Sequence, residues 1–201
     1  DKDYPDIVQY LEVAKGEYGY KGVLVCNDSG VITVGTAGEA VGADVSQMDY
    51  FKQAMQGNTS ASNMIPSEIP LTNELGEKEL GLPTMFVSTP LKDRDGVVIG
   101  IVAIRVDVNA LNDLMLSLNL GKTGETYLVN KDGFMLTESR FAAHLKEMGL
   151  VKKRCALSLK LVNSETGELN EGVKQCVAGN NGFDARGYRD YSGLLVLGVW
   201  R

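Results

Sequence analysis

Apolar positions recur with different spacing along the chain, and each change of spacing marks an element. Ile7, Val8, Leu11, Val13 and Ala14 recur at roughly helical intervals and stop near Gly16, which predicts a helix over residues 4–19. Residues 23–34 form two apolar, β-prone runs around Asn27-Asp28-Ser29-Gly30. Asn and Asp bond their own backbone and Gly accepts positive φ, so this is a hairpin. Residues 47–56 read as a short helix, with Asp44 or Ser46 as its cap and Gly57 as its stop. The polar stretch 58–83, with Pro66, Pro70 and Pro83, predicts a long loop holding one short strand over residues 64–69. Loops of that length usually carry function. Residues 84–91 and 97–106 then pair as a second hairpin across residues 92–96. Leu111, Leu114, Met115 and Leu118 share one face of a linking helix over residues 107–118.

The same pattern then repeats. Residues 126–129 and 134–137 flank Asn130-Lys131-Asp132-Gly133, and Asn130 and Gly133 stand at one constant offset from Asn27 and Gly30. The chain therefore reads as two copies of one module, and residues 20–110 and 124–200 are expected to superpose. A segment with Leu145, Met148 and Leu150 comes next, then a polar loop, a short helix near residues 171–178, and a closing hairpin that carries Tyr188, Tyr191 and the run 194–199. The predicted class is α/β (α+β): an N-terminal helix and two tandem modules, each a mostly antiparallel sheet flanked by helices.

Composition narrows the function. At 201 residues, 44% apolar and 23% charged, the chain can bury a sizeable core. A net charge of −6 and the lack of a basic stripe exclude a general nucleic-acid surface. Lys152-Lys153-Arg154 reads as a solvated loop. No apolar run approaches the roughly 18–20 residues that span a bilayer. The chain begins without Met or a signal-peptide pattern and stops just after a strand-like run, so the expectation is an excised fragment whose anchoring segments lie outside it.

Catalytic and metal patterns are weak. Gly121-Lys122-Thr123 is not a nucleotide loop, because Leu116 stands where that motif needs a Gly. His144 is the only histidine and has no special Ser or Cys near it, so a surface position is expected. No ligand spacing for zinc or calcium is present, and we expect no catalytic residue, metal or cofactor. Cys155 and Cys176 flank a polar segment and can bridge in an oxidising compartment, with Cys26 a buried thiol; the alternative is three unpaired thiols. One constellation fits a small-ligand pocket. Tyr50 and Phe51 open the second helix, Ser67 and Glu68 lie on the short strand, Thr84, Phe86 and Ser88 share a strand face, and Asp107 ends the next strand. The same residues also fit a plain aromatic core with Asp107 as a helix cap.

Three stretches carry a family resemblance. Gly121-Lys-Thr-Gly-Glu-Thr-Tyr-Leu-Val-Asn-Lys-Asp-Gly133 resembles the opening of the second, membrane-proximal module of double-Cache sensor domains, the PAS-like (PDC-type) extracytoplasmic regions of prokaryotic receptors. The stretch from Ser88 to Asp107 resembles the hairpin that closes the distal module, and the stretch from Gly187 to Trp200 resembles the end of the family's domain. The resemblance implies a distal, ligand-binding module with the N-terminal helix in residues 1–118 and a proximal module in 119–201. It also implies a cell-membrane receptor with this part outside the cytoplasm, a sensor histidine kinase first and a chemoreceptor or cyclase as the alternative, and homodimerisation in the full receptor. In the amino-acid-binding subset an Arg precedes the aromatic pair. Here that position is Met48, which cannot grip a carboxylate. Asp107 matches the Asp that meets a ligand's amino group, and Ser67 or Glu68 stands near another polar contact. The implied ligand is amine-like or weakly polar. Two rival readings remain: a small α/β hydrolase-like enzyme built on Asp107 and Glu68, and a cytoplasmic PAS-like interaction module.

Overall fold

The computed structural model describes residues 4–73, 75–118 and 120–201. The chain divides into two compact units, Asp1–Val108 and Asn109–Arg201. No described helix is long and apolar enough to cross a membrane.

The first unit opens with helix α1 (Tyr4–Tyr18), which buries none of its residues. Strands β1 (Gly22–Asn27) and β2 (Ile32–Gly35) make the first hairpin. Helix α2 (Asp49–Met55) comes next, but neither Asp44 nor Ser46 caps it. Met48 is the cap residue, with no side-chain bond, because the Asp44 carboxylate instead accepts the Ser46 N–H at 2.8 Å in a turn ahead of the helix.

Residues 58–83 hold more structure than the single strand expected. They contain β3 (Ser60–Ala61), β4 (Ile65–Pro66), β5 (Leu71–Thr72), β6 (Lys78–Glu79) and the start of β7 (Pro83–Thr84). Strands of two residues are too short for periodicity to show, whether the partner is near, as for β5 and β6, or further along the chain. β3 pairs with β8 (Phe86–Lys92), and β4 with β7, where Pro66 faces Pro83. Two prolines cannot donate to a ladder, so that pairing stays short.

β9 (Val98–Arg105) completes an antiparallel sheet in the order β2-β1-β9-β8-β3. Its register sets the site: Leu24, Ala103 and Ser88 form one cross-strand row, and Gly22, Arg105 and Phe86 form another. The buried cluster Leu24, Cys26, Ile32, Tyr50, Phe51, Ala54, Ile101 and Ala103 packs α2 on this sheet. The Ser88 hydroxyl pins the helix by donating to the Tyr50 carbonyl at 2.8 Å.

The second unit begins with α3 (Asn109–Ser117), the helix expected to close the first module. Two bonds tie it to residues further along this unit: Asn112 Oδ1 accepts the Glu138 N–H at 2.9 Å, and the Thr126 hydroxyl donates to the Met115 carbonyl at 2.9 Å. The expected boundary between 118 and 119 therefore moves ahead of this helix; Asn119 lies outside the described residues. Helices α4 (Ala142–Glu147) and α5 (Glu171–Val177) and strands β10 (Gly182–Arg189) and β11 (Leu195–Trp200) complete the unit. Asn170 caps α5 by accepting the Val173 N–H at 3.0 Å. Met135, Leu145, Cys155, Leu161, Val173 and Tyr191 lie in its own buried cluster.

The turn at Asn130–Gly133 matches that at Asn27–Gly30 bond for bond. The strands around it do not match. They shrink to one bridge, Val129 with Met135, because the Leu128 N–H bonds the Thr137 hydroxyl at 3.2 Å and ordinary ladder pairing ends there.

Candidate functional site

A cavity of about 230 Å³ lies in the first unit, between the end of the sheet, α2 and the segment carrying β4 and β5. Its apolar wall includes Val23, Ile32, Val45, Met48, Ile65 and Ile69. Tyr50 and Phe86 form the aromatic wall, stacked with centroids 4.7 Å apart and planes at 25°. Burial pushes the Tyr50 pKa upward, with Cys26 and Glu68 adding to the shift, so the phenol stays neutral. The stack exists because Phe86 belongs to the inward row of β8 while Tyr50 starts the first turn of α2.

Polar groups are few. Ser67 Oγ accepts the Leu82 N–H at 3.0 Å and is thereby engaged. Thr84 is 3% exposed, lines the cavity, and its hydroxyl has no hydrogen-bond partner. Arg105 sits beside Phe86 at the end of β9. Its side chain crosses Gly22, where a Cβ would lie 3.7 Å from Nε, and Nη2 donates to the Lys21 carbonyl at 2.8 Å. Burial lowers the Arg105 pKa and nearby Asp107 raises it; a guanidinium stays charged through both. Lys21, Asp44 and Glu68 are the other charged residues of the lining.

Of the nine ligand residues expected from sequence, Met48, Tyr50, Ser67, Glu68, Thr84 and Phe86 line this cavity. Phe51 lies in the core under α2, and Ser88 is buried at the Tyr50 carbonyl. Asp107 is not part of the wall: its Oδ2 lies 2.9 Å from Lys21 Nζ. Sequence reading missed Lys21 and Arg105. Alternation did hold a signal for the second. Arg105 follows Ile101 and Ala103 at spacing two, so it faces inward with them.

The cysteines do not pair. Cys155 is buried in the second core, while the Cys176 thiol, at the far end of α5, donates to the Arg201 carbonyl at 3.4 Å. The expected Cys155–Cys176 bridge is thus replaced by three free thiols, because the core claims one partner and the chain end the other. His144 lies on the exposed surface of α4, 3.5 Å from Glu147. No cluster of His, Cys, Asp and Glu among the described residues could hold a metal ion. In the second unit Glu125 accepts from the Tyr191 and Ser139 hydroxyls, and Glu138 accepts the Cys155 and Ala156 N–H groups. These carboxylates brace the loop structure there.

No protein-family model matches the chain. No curated protein matches it either. Solved structures do. An extracellular ligand-binding receptor from Desulfohalobium retbaense DSM5692 is similar over 89% of this chain and 28% of its own, with a TM-score of 0.58 at 14% identity. The ligand-binding domain of the Campylobacter jejuni chemoreceptor Tlp3, in complex with 4-methylisoleucine, is similar over 75% of this chain and 56% of its own, with a TM-score of 0.50 at 12% identity. The chain spans between about a quarter and a little over half the length of these structures. It has the fold of extracellular ligand-binding sensor domains, as its motifs implied.

Proposed function

We propose that this sensor-fold chain is the extracytoplasmic input region of a transmembrane signalling receptor, and that a small molecule binding in the cavity of the first unit is its signal. The observation that carries this is the buried Thr84 hydroxyl, without a partner among the described residues, in a largely apolar cavity closed by the Tyr50–Phe86 stack. A folded protein seldom leaves such a group unsatisfied, and a ligand acceptor or donor is the natural partner. Segments from residue 21 to residue 105 converge on the cavity, so a ligand touching them all favours one arrangement of the unit over others and shifts its population. Segments flanking this chain would carry that shift across a membrane to an output domain. A sensor histidine kinase is the first choice for that output and a chemoreceptor or cyclase the alternative, with the receptor acting as a homodimer. The likeness to the chemoreceptor Tlp3, whose domain was solved with 4-methylisoleucine, supports small-molecule sensing. The enzyme reading is weaker, since its Asp107 meets Lys21 rather than the cavity wall.

A thermal-shift screen of amino acids, amines, carboxylates and purines tests the proposal. Ala43 lines the cavity, so Ala43→Leu should fill part of it, abolish the response to any hit and leave the unfolding temperature as high or higher. No hit at millimolar concentration, or a hit indifferent to Ala43→Leu, would refute it.

A further inference from the structure

The charges around the cavity are not equivalent. Glu68 and Asp44 are exposed, and the Asp44 carboxylate already accepts the Ser46 N–H. Exposed charges are screened by water and salt. Arg105 is half-buried on the sheet face, and apart from the bond to the Lys21 carbonyl its N–H groups have no acceptor among the described residues. Lys21 is exposed too and is paired with Asp107 at 2.9 Å, which leaves Arg105 as the half-buried cation of the lining.

Thr84 lines the same cavity as Arg105. Arg105 is the cross-strand partner of Phe86, and Thr84 lies two residues before Phe86, at the end of β7. The guanidinium and the unpartnered hydroxyl thus belong to neighbouring segments that line one cavity. A guanidinium fork and a free hydroxyl donor together match a planar oxyanion. Met48, at the start of α2, supplies no cation to the lining, whereas Arg105 on the sheet does.

We propose that the ligand enters head-first with a carboxylate, held by Arg105 and the Thr84 hydroxyl with Lys21 adding charge, and that Asp107 holds Lys21 in place instead of meeting an amine. This rests on the cavity being the sensing site. Three probes with the same three-carbon chain separate the head groups: propionate, propionamide and propylamine, titrated calorimetrically against the whole chain. Propionate should bind about tenfold or more tighter than either other probe, as a charge-assisted bond in a desolvated site implies. Arg105→Gln should remove that advantage and bring propionate level with propionamide. Thr84→Val should weaken propionate severalfold. Asp107→Asn should weaken propionate only through the loosened Lys21, and less than Arg105→Gln does, whereas an amine anchor at Asp107 requires propylamine to bind first and to lose affinity in that variant. The order in the unmodified protein decides the matter even if Arg105→Gln fails to fold. Propionate binding no better than propylamine, or not at all, overturns the assignment. Binding by the amine or amide alone leaves the cavity as the sensing site; failure of all three probes and of the wider screen removes both readings.

Discussion

Thr84 illustrates how much a single buried group decides. Its hydroxyl is desolvated without a partner, a situation that costs about 1–3 kcal/mol. Valine has the same shape and no polar atom. Without added ligand, Thr84→Val should therefore raise stability by about 1 kcal/mol, read as a higher urea midpoint with an unchanged slope. A lower midpoint would mean that the hydroxyl has a partner after all. The cysteines make a second residue-scale case. Burial pushes the Cys26 thiol up to about 12 and Cys155 up to about 11, from an ordinary value near 9. Both folded values are raised, so the folded state holds protons that the unfolded state loses first. Their stabilisation is complete below about pH 9 and erodes as the pH climbs toward 11 and then 12. Buried Tyr50, Tyr127 and Tyr191 are shifted in the same direction and add to the alkaline loss. Urea unfolding across that range should show falling stability from about pH 9, with a shallower fall in Cys26→Ala. A flat profile would contradict the buried thiol. Residue types alone revealed the aromatic wall, because Tyr50 and Phe86 sit on an obvious helix and an obvious strand. They did not reveal Arg105, because a charge ending an apolar strand looks like a strand terminus until the register puts Gly22 beside it.

At the scale of elements, one turn recurs through both units. Asn27, Asp93, Asn130 and Asp190 each accept, at their carbonyl, the N–H of a Gly three residues on. Their side chains also accept the N–H groups two and four residues on, at 2.8–3.1 Å. All the bonds are local, and longer apolar strands around these turns made the hairpins legible in sequence; Asn73 makes the same bonds between β5 and β6, but strands of two residues carry no periodicity to read. The turn also allows a controlled comparison. Gly96 and Gly133 share φ 82°, but a Cβ on Gly96 meets nothing within 4 Å, whereas on Gly133 it would lie 2.2 Å from Leu169 Cδ2. Gly96→Ala should cost only the left-handed backbone, about 1–2 kcal/mol. Gly133→Ala should cost that and a further 1–3 kcal/mol or so for displacing Leu169. Equal losses in chemical denaturation would show that Leu169 yields freely. The divergence of the two hairpins beyond their common turn was hidden from sequence for a similar reason. Whether Leu128 bonds a carbonyl or the Thr137 hydroxyl depends on a side-chain rotamer, not on periodicity.

On the scale of the whole molecule, the chain divides into two units, and each has its own buried cluster. What the repeat could not give was the division of labour. The cavity is lined only by residues between Lys21 and Arg105, all within the unit that ends at Val108. Its aromatic wall and Arg105 are held by bonds internal to that unit: Ser88 to the Tyr50 carbonyl, and Arg105 to the Lys21 carbonyl. A unit of this size buries enough surface to fold by itself. Residues 1–108 expressed alone should therefore unfold cooperatively and bind propionate within about threefold of the whole chain, a difference of about 0.6 kcal/mol. Residues 109–201 alone should keep a cooperative transition around their own core and give no binding heat. Calorimetric titration and urea unfolding of the two pieces and the whole chain make the comparison. A first unit that folds but binds far more weakly would mean that the second unit completes the site or biases its shape, and ligand affinity would then be a property of the pair.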